Sequence, residues 1–155
     1  MVREMKHTEI GDIPNNWVTM PLDDFCIIKD GTHGTYNRKK DGCLLLSAKN
    51  VFDNYLNVSK NESYISESDY FFITQNGFPQ KGDILFSCVG SIGRCCIFDG
   101  LTRAAFQRSV AFIRTNDSVD NRYLMYAIQG SRCQSQIQQL VSASTQGGLY
   151  LGAWC

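Results

Sequence analysis

A chain of 155 residues, 43% hydrophobic and 19% charged, is long enough for one domain with a buried core and too apolar for a disordered tail. No apolar run approaches the roughly 18 residues that span a bilayer, and the N-terminus lacks a signal-peptide core, so a cytoplasmic protein without membrane contact is expected. Fifteen basic and fifteen acidic side chains cancel, which argues mildly against nucleic-acid binding unless the charges are segregated.

In chain order, Met1 to Asn15 is a polar lead with a turn at Pro14, and Trp17 to Leu22, broken by Pro21, anchors the first element. Phe25 to Ile28 is a short strand ending at the Asp30-Gly31 turn, Thr32 to Gly42 a polar loop, and Cys43 to Ser47 a strand. Asp53-Asn54 is a turn before a brief extended stretch, Tyr55 to Val58. Ser66 with Asp69 three residues on is similar to a capping box and predicts a helix through Tyr70-Phe-Phe-Ile73. Lys81-Gly82-Asp83 is a turn; Ile84 to Val89 and Arg94 to Phe98 then form a hairpin about the four-residue loop Gly90-Ser-Ile-Gly93. Ala104 to Arg114 reads as one strand, buried at Val110-Ala-Phe-Ile113. Asp120 caps one long helix, from about Asn121 to Val141, with Tyr123, Leu124, Ala127, Ile128, Ile137, Leu140 and Val141 at helical spacing and Gly130-Ser131 as a point of interruption. The expected fold is α+β: a single domain with a twisted, mainly antiparallel sheet, short helices and one long C-terminal helix.

Charge comes in blocks. Residues 1–28 carry two basic and five acidic groups, and residues 50–99 three against six. Residues 29–49 carry five basic (Lys29, Arg38, Lys39, Lys40, Lys49) against two acidic, and residues 100–133 five (Arg103, Arg108, Arg114, Arg122, Arg132) against two. Folded onto one face, the two basic blocks would make a cationic strip able to hold phosphates; the other reading is solvated loops and helix faces. The seven cysteines include no C-x-x-C pair, so no metal site or cofactor is expected. Cys26, Cys88 and one of Cys95 and Cys96 sit among apolar neighbours and read as small core residues.

Several segments, taken in order, resemble the target recognition domain of type I restriction–modification specificity (S) subunits. Glu9-Ile-Gly-Asp-Ile-Pro-Asn-Asn-Trp17 is similar to that family's opening, Asp30-Gly-Thr-His-Gly-Thr-Tyr36 to its early glycine/histidine loop, and Leu44 to Val51 to the next core strand. Lys81-Gly-Asp-Ile-Leu85 with Val89-Gly-Ser-Ile-Gly93 is the most specific block, and Phe106-Gln-Arg-Ser109 and Ser144-Thr-Gln-Gly-Gly-Leu149 complete the set. The resemblance covers about residues 8 to 151. It implies a domain that reads one half of a split double-stranded DNA site. A modification (methyltransferase) subunit would carry the methyl chemistry, and a restriction motor subunit, reached through it, the cleavage.

Within this frame, Thr32, His33, Thr35 and Tyr36 offer hydroxyls, an imidazole and a phenol to phosphates and base edges, and Arg38, Lys39 and Lys40 follow as phosphate contacts. Asn50 pairs with adenine and Lys49 with guanine or phosphate in one reading; in the other, Asn50 closes a turn and Lys49 is solvated. Ser91 and Arg94 lie at the hairpin loop. Arg108 serves as a phosphate or structural contact, or pairs with a carboxylate such as Asp83. Residues 53–80 match the family least and are the expected base readers.

Enzyme signatures are missing. The prolines at 14, 21 and 79 exclude an Asn-Pro-Pro-Tyr or Asp-Pro-Pro-Tyr methyltransferase motif, Gly90-Ser-Ile-Gly-Arg94 lacks the P-loop ending, and Asp30 with His33 has no evident nucleophile beside it. No catalytic residue is expected. The chain stops at Leu151-Gly-Ala-Trp-Cys155, where the resemblance implies a spacer helix, so a domain truncated before that helix is expected. The competing function is a protein-interaction or dimerisation module that reads no DNA; an unburied apolar face on the helix at 121–141 would favour it.

Overall fold

The structure is a computed structural model that describes residues 4–144 and 147–149. Met1 to Arg3, the Thr145-Gln146 part of the exit segment and the Leu151–Cys155 end lie outside the described residues. A hairpin of β1 (Met5–Thr8) and β2 (Gly11–Pro14) comes first, in the segment expected to be a polar lead. Then follow β3 (Cys26–Asp30), β4 (Cys43–Leu46), the small hairpin β5 (Val51–Phe52) and β6 (Tyr55–Leu56), and β7 (Tyr64–Ile65). Helix α1 (Glu67–Thr74) precedes β8 (Ile84–Ser87), β9 (Cys95–Ile97), β10 (Ala104–Phe106) and β11 (Val110–Thr115). Helices α2 (Asn121–Gln129) and α3 (Ser131–Ala143) close the order.

The α+β class and the mainly antiparallel pairing are as expected, but the strands divide between two principal sheets. One has the order β3-β11-β8-β9, antiparallel throughout; the other is β10-β4-β7, with β10 and β4 parallel. The single strand expected over Ala104–Arg114 is therefore two strands in different sheets, joined at Gln107-Arg108-Ser109. The long helix is interrupted at Gly130, whose backbone is extended (φ −63°, ψ 146°).

Side-chain alternation explains the layering. On β8, Ile84 and Phe86 face α2 and α3 with Ala111 and Ile113, while Leu85 faces the second sheet with Val110 and Phe112. On β4 and β10, Leu46 and Phe106 meet that second core, while Cys43, Leu45 and Ala105 turn outward beneath Tyr36, Tyr70 and Ile73. The layers run α2/α3, sheet, sheet, α1. Both faces of β9 are buried, so Cys95 and Cys96 are both core residues, not one of the two; Cys88 is buried and Cys26 only half-buried.

Local signals place the ends. The Asp69 N–H donates to Ser66 Oγ (3.1 Å), and those of Arg122 and Tyr123 to Asp120 Oδ1 (2.8 and 3.3 Å), so both expected N-caps form. Among the described residues, no helix is long and apolar enough to cross a membrane.

Candidate functional site

The register of the first sheet brings four strand ends together. Asp30, last in β3, faces Ala111 near the start of β11; Val110 faces Ser87, last in β8; Phe86 faces Cys95, first in β9. The parallel strands β4 and β10 finish at the paired residues Leu46 and Phe106, and the Gln107 N–H continues their ladder to the Leu46 carbonyl (2.9 Å). The loops leaving these ends form one rim.

Backbone bonds stitch the rim. The Gly31 N–H donates to the Val110 carbonyl (2.9 Å), the Thr32 N–H to that of Phe106 (2.8 Å), and the Arg108 N–H to that of Thr32 (3.0 Å). A Cβ on Gly31 would lie 2.2 Å from the Gln107 carbonyl oxygen, so only glycine permits this approach. Ser109 links two neighbours: its Oγ accepts the Ala48 N–H (3.1 Å) and its carbonyl the Cys88 N–H (2.8 Å). Fully buried Ser87 shapes the hairpin loop, donating from Oγ to the Ser91 carbonyl (2.6 Å) and accepting the Arg94 N–H (3.0 Å). The loop is consequently longer than four residues, because Cys88 and Val89 leave the hairpin: the Leu149 N–H donates to the Cys88 carbonyl (2.9 Å) and Gly148 bridges Val89.

The rim gathers Thr32, His33, Ser91, Arg94 and Arg108. His33 and Thr35 are exposed; His33 Nε2 lies 2.5 Å from Asp30 Oδ2. Thr32 and Tyr36 are half-buried and bond to each other (2.8 Å), with the Gly34 N–H on Thr32 Oγ1 (3.2 Å), so these hydroxyls chiefly hold the loop in shape. Arg94 lies over the Phe52 ring (4.8 Å), a contact that fixes its guanidinium without neutralising it. Arg108 is exposed with no ion pair among the described residues; Asp83 is taken instead by Arg114, through two bonds of 2.7 Å. Exposed Arg38, Lys39 and Lys40 lie off the rim, where the Lys39 N–H meets the Tyr64 carbonyl on the outer edge of β7 (2.9 Å).

Asn50 does not belong to this surface. It is 2% exposed; its Oδ1 accepts the Ser47 N–H (2.9 Å), and its amide nitrogen donates to the Asn57 carbonyl (3.0 Å) and Glu62 Oε1 (2.9 Å). It closes a turn, the alternative left open above, and can reach no base. Lys49 is spent on the same Glu62 (3.0 Å). Burial alone would raise the Glu62 pKa, but hydrogen bonds from Ser59, Lys49 and Asn50 outweigh it and bring the carboxyl down to about 2.

Pairing also thins the cationic strip. Arg103 bonds Glu67, Arg114 bonds Asp83 and Arg122 lies 3.7 Å from Asp120, so three of the five arginines at 100–133 are matched by carboxylates. Burial pushes the Cys88, Cys95 and Cys96 thiols up to about 12, so these three are core residues and not nucleophiles. Sequence reasoning missed Ser87 and Ser109 as organisers of the rim. A serine inside the apolar run Ile84–Val89 was the one local signal for the former. It also missed the aromatic edge of α1, where adjacent Phe71 and Phe72 are exposed.

A family model described as Type I restriction modification DNA specificity domain matches residues 14–153. A protein of Methanocaldococcus jannaschii, described as the MjaX type I restriction enzyme specificity subunit, is 27% identical over 134 residues, covering 80% of this chain and 30% of that relative. Among solved structures, the HsdS subunit of Thermoanaerobacter tengcongensis superposes with a TM-score of 0.59 at 19% identity, covering 92% of this chain and 34% of the other. The type I S subunit of M. genitalium gives 0.54 at 14% identity, with 86% and 31% covered. The chain thus spans about a third of the length of the relatives it matches.

Proposed function

This chain belongs to the type I restriction modification DNA specificity domain family, and on that premise we propose that it is a non-catalytic target recognition domain reading one half of a bipartite double-stranded DNA site. One observation carries the reading: the loops at 31–36, 88–94 and 107–109, separate in sequence, meet at a single rim that carries His33, Ser91 and Arg108, the last with no ion pair among the described residues. Phosphate contacts from Arg38, Lys39, Lys40, Arg94 and Arg108 position the domain, and side chains of the 32–36 loop and the 53–80 region read bases. Direction of a methyltransferase subunit, and through it a restriction motor subunit, to the bound site completes the role.

Binding to random-sequence duplex across a salt series tests the reading. Affinity that falls steeply with salt supports it; absence of binding at low salt rejects it.

A second reading has its own observation. Between α2, α3 and the N-terminal segment lies an open apolar groove of about 740 Å³, bordered by Ile10, Met20, Leu22, Ile137 and Leu140. Ile10, Met20 and Leu140 are exposed, which favours a protein partner on this side, either the methyltransferase subunit or a second copy of the chain. Sedimentation over a concentration series separates the two: self-association requires a mass that rises with concentration.

A further inference from the structure

Beside the rim, between α1 and the Asp30–Tyr36 loop, is a cavity of about 150 Å³ walled by Phe72, Phe78, Phe106 and Phe112. Asp30, Thr32, Tyr36 and Asn76 bring polar groups to the lining, and Gly31 and Ile73 complete it. Asn76 uses Oδ1 to accept the Phe78 N–H (3.1 Å), and its amide nitrogen has no partner among the described residues. Phe72 borders the cavity and is 65% exposed, so its ring is open to a stacking partner. Phe71 beside it is held from behind: Tyr70 meets it edge-on (5.7 Å) and Arg103, anchored by Glu67, lies over both rings.

We propose that this cavity receives one pyrimidine base turned out of the nucleic-acid stack, with Phe72 as its stacking wall. The inference rests on the functional reading above and names a subsite for it. A volume of this order holds a single six-membered ring. A purine's second ring, like the attached sugar and phosphate, would extend through its open mouth. These stay outside, over the exposed His33 and Thr35. Aromatic walls supply the stacking, and the Asn76 amide nitrogen supplies a hydrogen-bond donor, the combination by which unstacked bases are held. The location adds the last argument: the cavity is lined by Asp30, Gly31 and Thr32, part of the same loop that contributes Thr32 and His33 to the rim.

The experiment uses the whole chain with random-sequence duplex and with homopolymeric single strands of thymidylate, cytidylate and adenylate of about 12 nucleotides, within the site size of one binding fold. Phe72→Ala, Phe72→Tyr and, as an exposed aromatic in the opposite layer, Tyr126→Ala are compared with the native chain. The pyrimidine oligomers bind more tightly than adenylate; Phe72→Ala lowers that preference by about tenfold, the order of one lost base–aromatic stack. Phe72→Tyr and Tyr126→Ala retain the preference, and every variant keeps the native salt slope on duplex. Equal binding of pyrimidine and purine oligomers, or a preference that survives Phe72→Ala, overturns the inference while duplex binding stands. Failure of the native chain to hold any of these nucleic acids overturns the functional reading itself, and the subsite with it.

Discussion

Removal of the exposed run Arg38-Lys39-Lys40 by triple alanine substitution gives a quantitative test of which cations meet DNA. Eleven cations lie in the two basic blocks and the hairpin loop; setting aside Lys29, inside β3, and Arg132, whose guanidinium lies against Gly11 of the first hairpin, leaves nine: Arg38, Lys39, Lys40, Lys49, Arg94, Arg103, Arg108, Arg114 and Arg122. Four of them, Lys49, Arg103, Arg114 and Arg122, already face carboxylates and displace no counterion on binding. Five remain, and at about 0.9 counterion per phosphate the log–log salt slope is about −4.5. From roughly 50 to roughly 200 mM salt, affinity then falls about 500-fold; with the triple substitution two contacts remain, the slope is about −1.8 and the loss about 12-fold. Fluorescence anisotropy with a labelled random duplex measures both. A slope near −8 in the native chain would mean that the paired cations also engage phosphates. A slope unmoved by the triple substitution would remove the β7 edge from the interface. Either result refutes the ion-pair accounting.

Three further outcomes follow from the same contacts. Gly31→Ala places a Cβ 2.2 Å from backbone oxygen and abolishes folding or costs more than about 4 kcal/mol, visible in urea denaturation; a loss under about 1 kcal/mol would contradict the packing of the rim. Ser87→Ala leaves the buried Arg94 N–H without its acceptor and costs about 1–3 kcal/mol, with hydrogen exchange accelerated at residues 91–94 and unchanged in α2. Glu62→Gln is destabilising at neutral pH. Because the folded pKa of Glu62 is depressed to about 2, its contribution is complete above the unfolded value of about 4.5 and disappears as pH falls through about 2; the gap between native and variant urea midpoints therefore narrows on acidification, and a gap independent of pH would refute the clamp.

What could be read in the sequence was governed by the range of the interactions. Caps are local, and Ser66 and Asp120 were identifiable because each bonds a backbone N–H two or three residues away. The turn at Lys81-Gly82-Asp83 is local as well, with Gly82 at φ 94°. The split of Ala104–Arg114 between two sheets was not legible: both halves are apolar strands, and only Leu46 and Ser87, far along the chain, decide which sheet each joins. Asn50 misled for the same reason. Its neighbours Ser47 and Lys49 made it look like the polar end of a strand, while its burial depends on Asn57 and Glu62 folding back over it. The grouping of the candidate loops was expected from resemblance alone; the antiparallel register is its physical cause.

The stretch at 51–80, between β4 and β8, places only Val51, Ile65 and Phe78 fully in the interior among its hydrophobic side chains. Outside those three, the β7 pairing and the Glu62 clamp on Asn50, the exposed positions of the segment can change chemistry without reopening either core. New preferences could thus be engineered by replacing the exposed positions while Glu62 and the three buried side chains are kept, with thermal stability holding nearly constant while the bases selected from a random pool change.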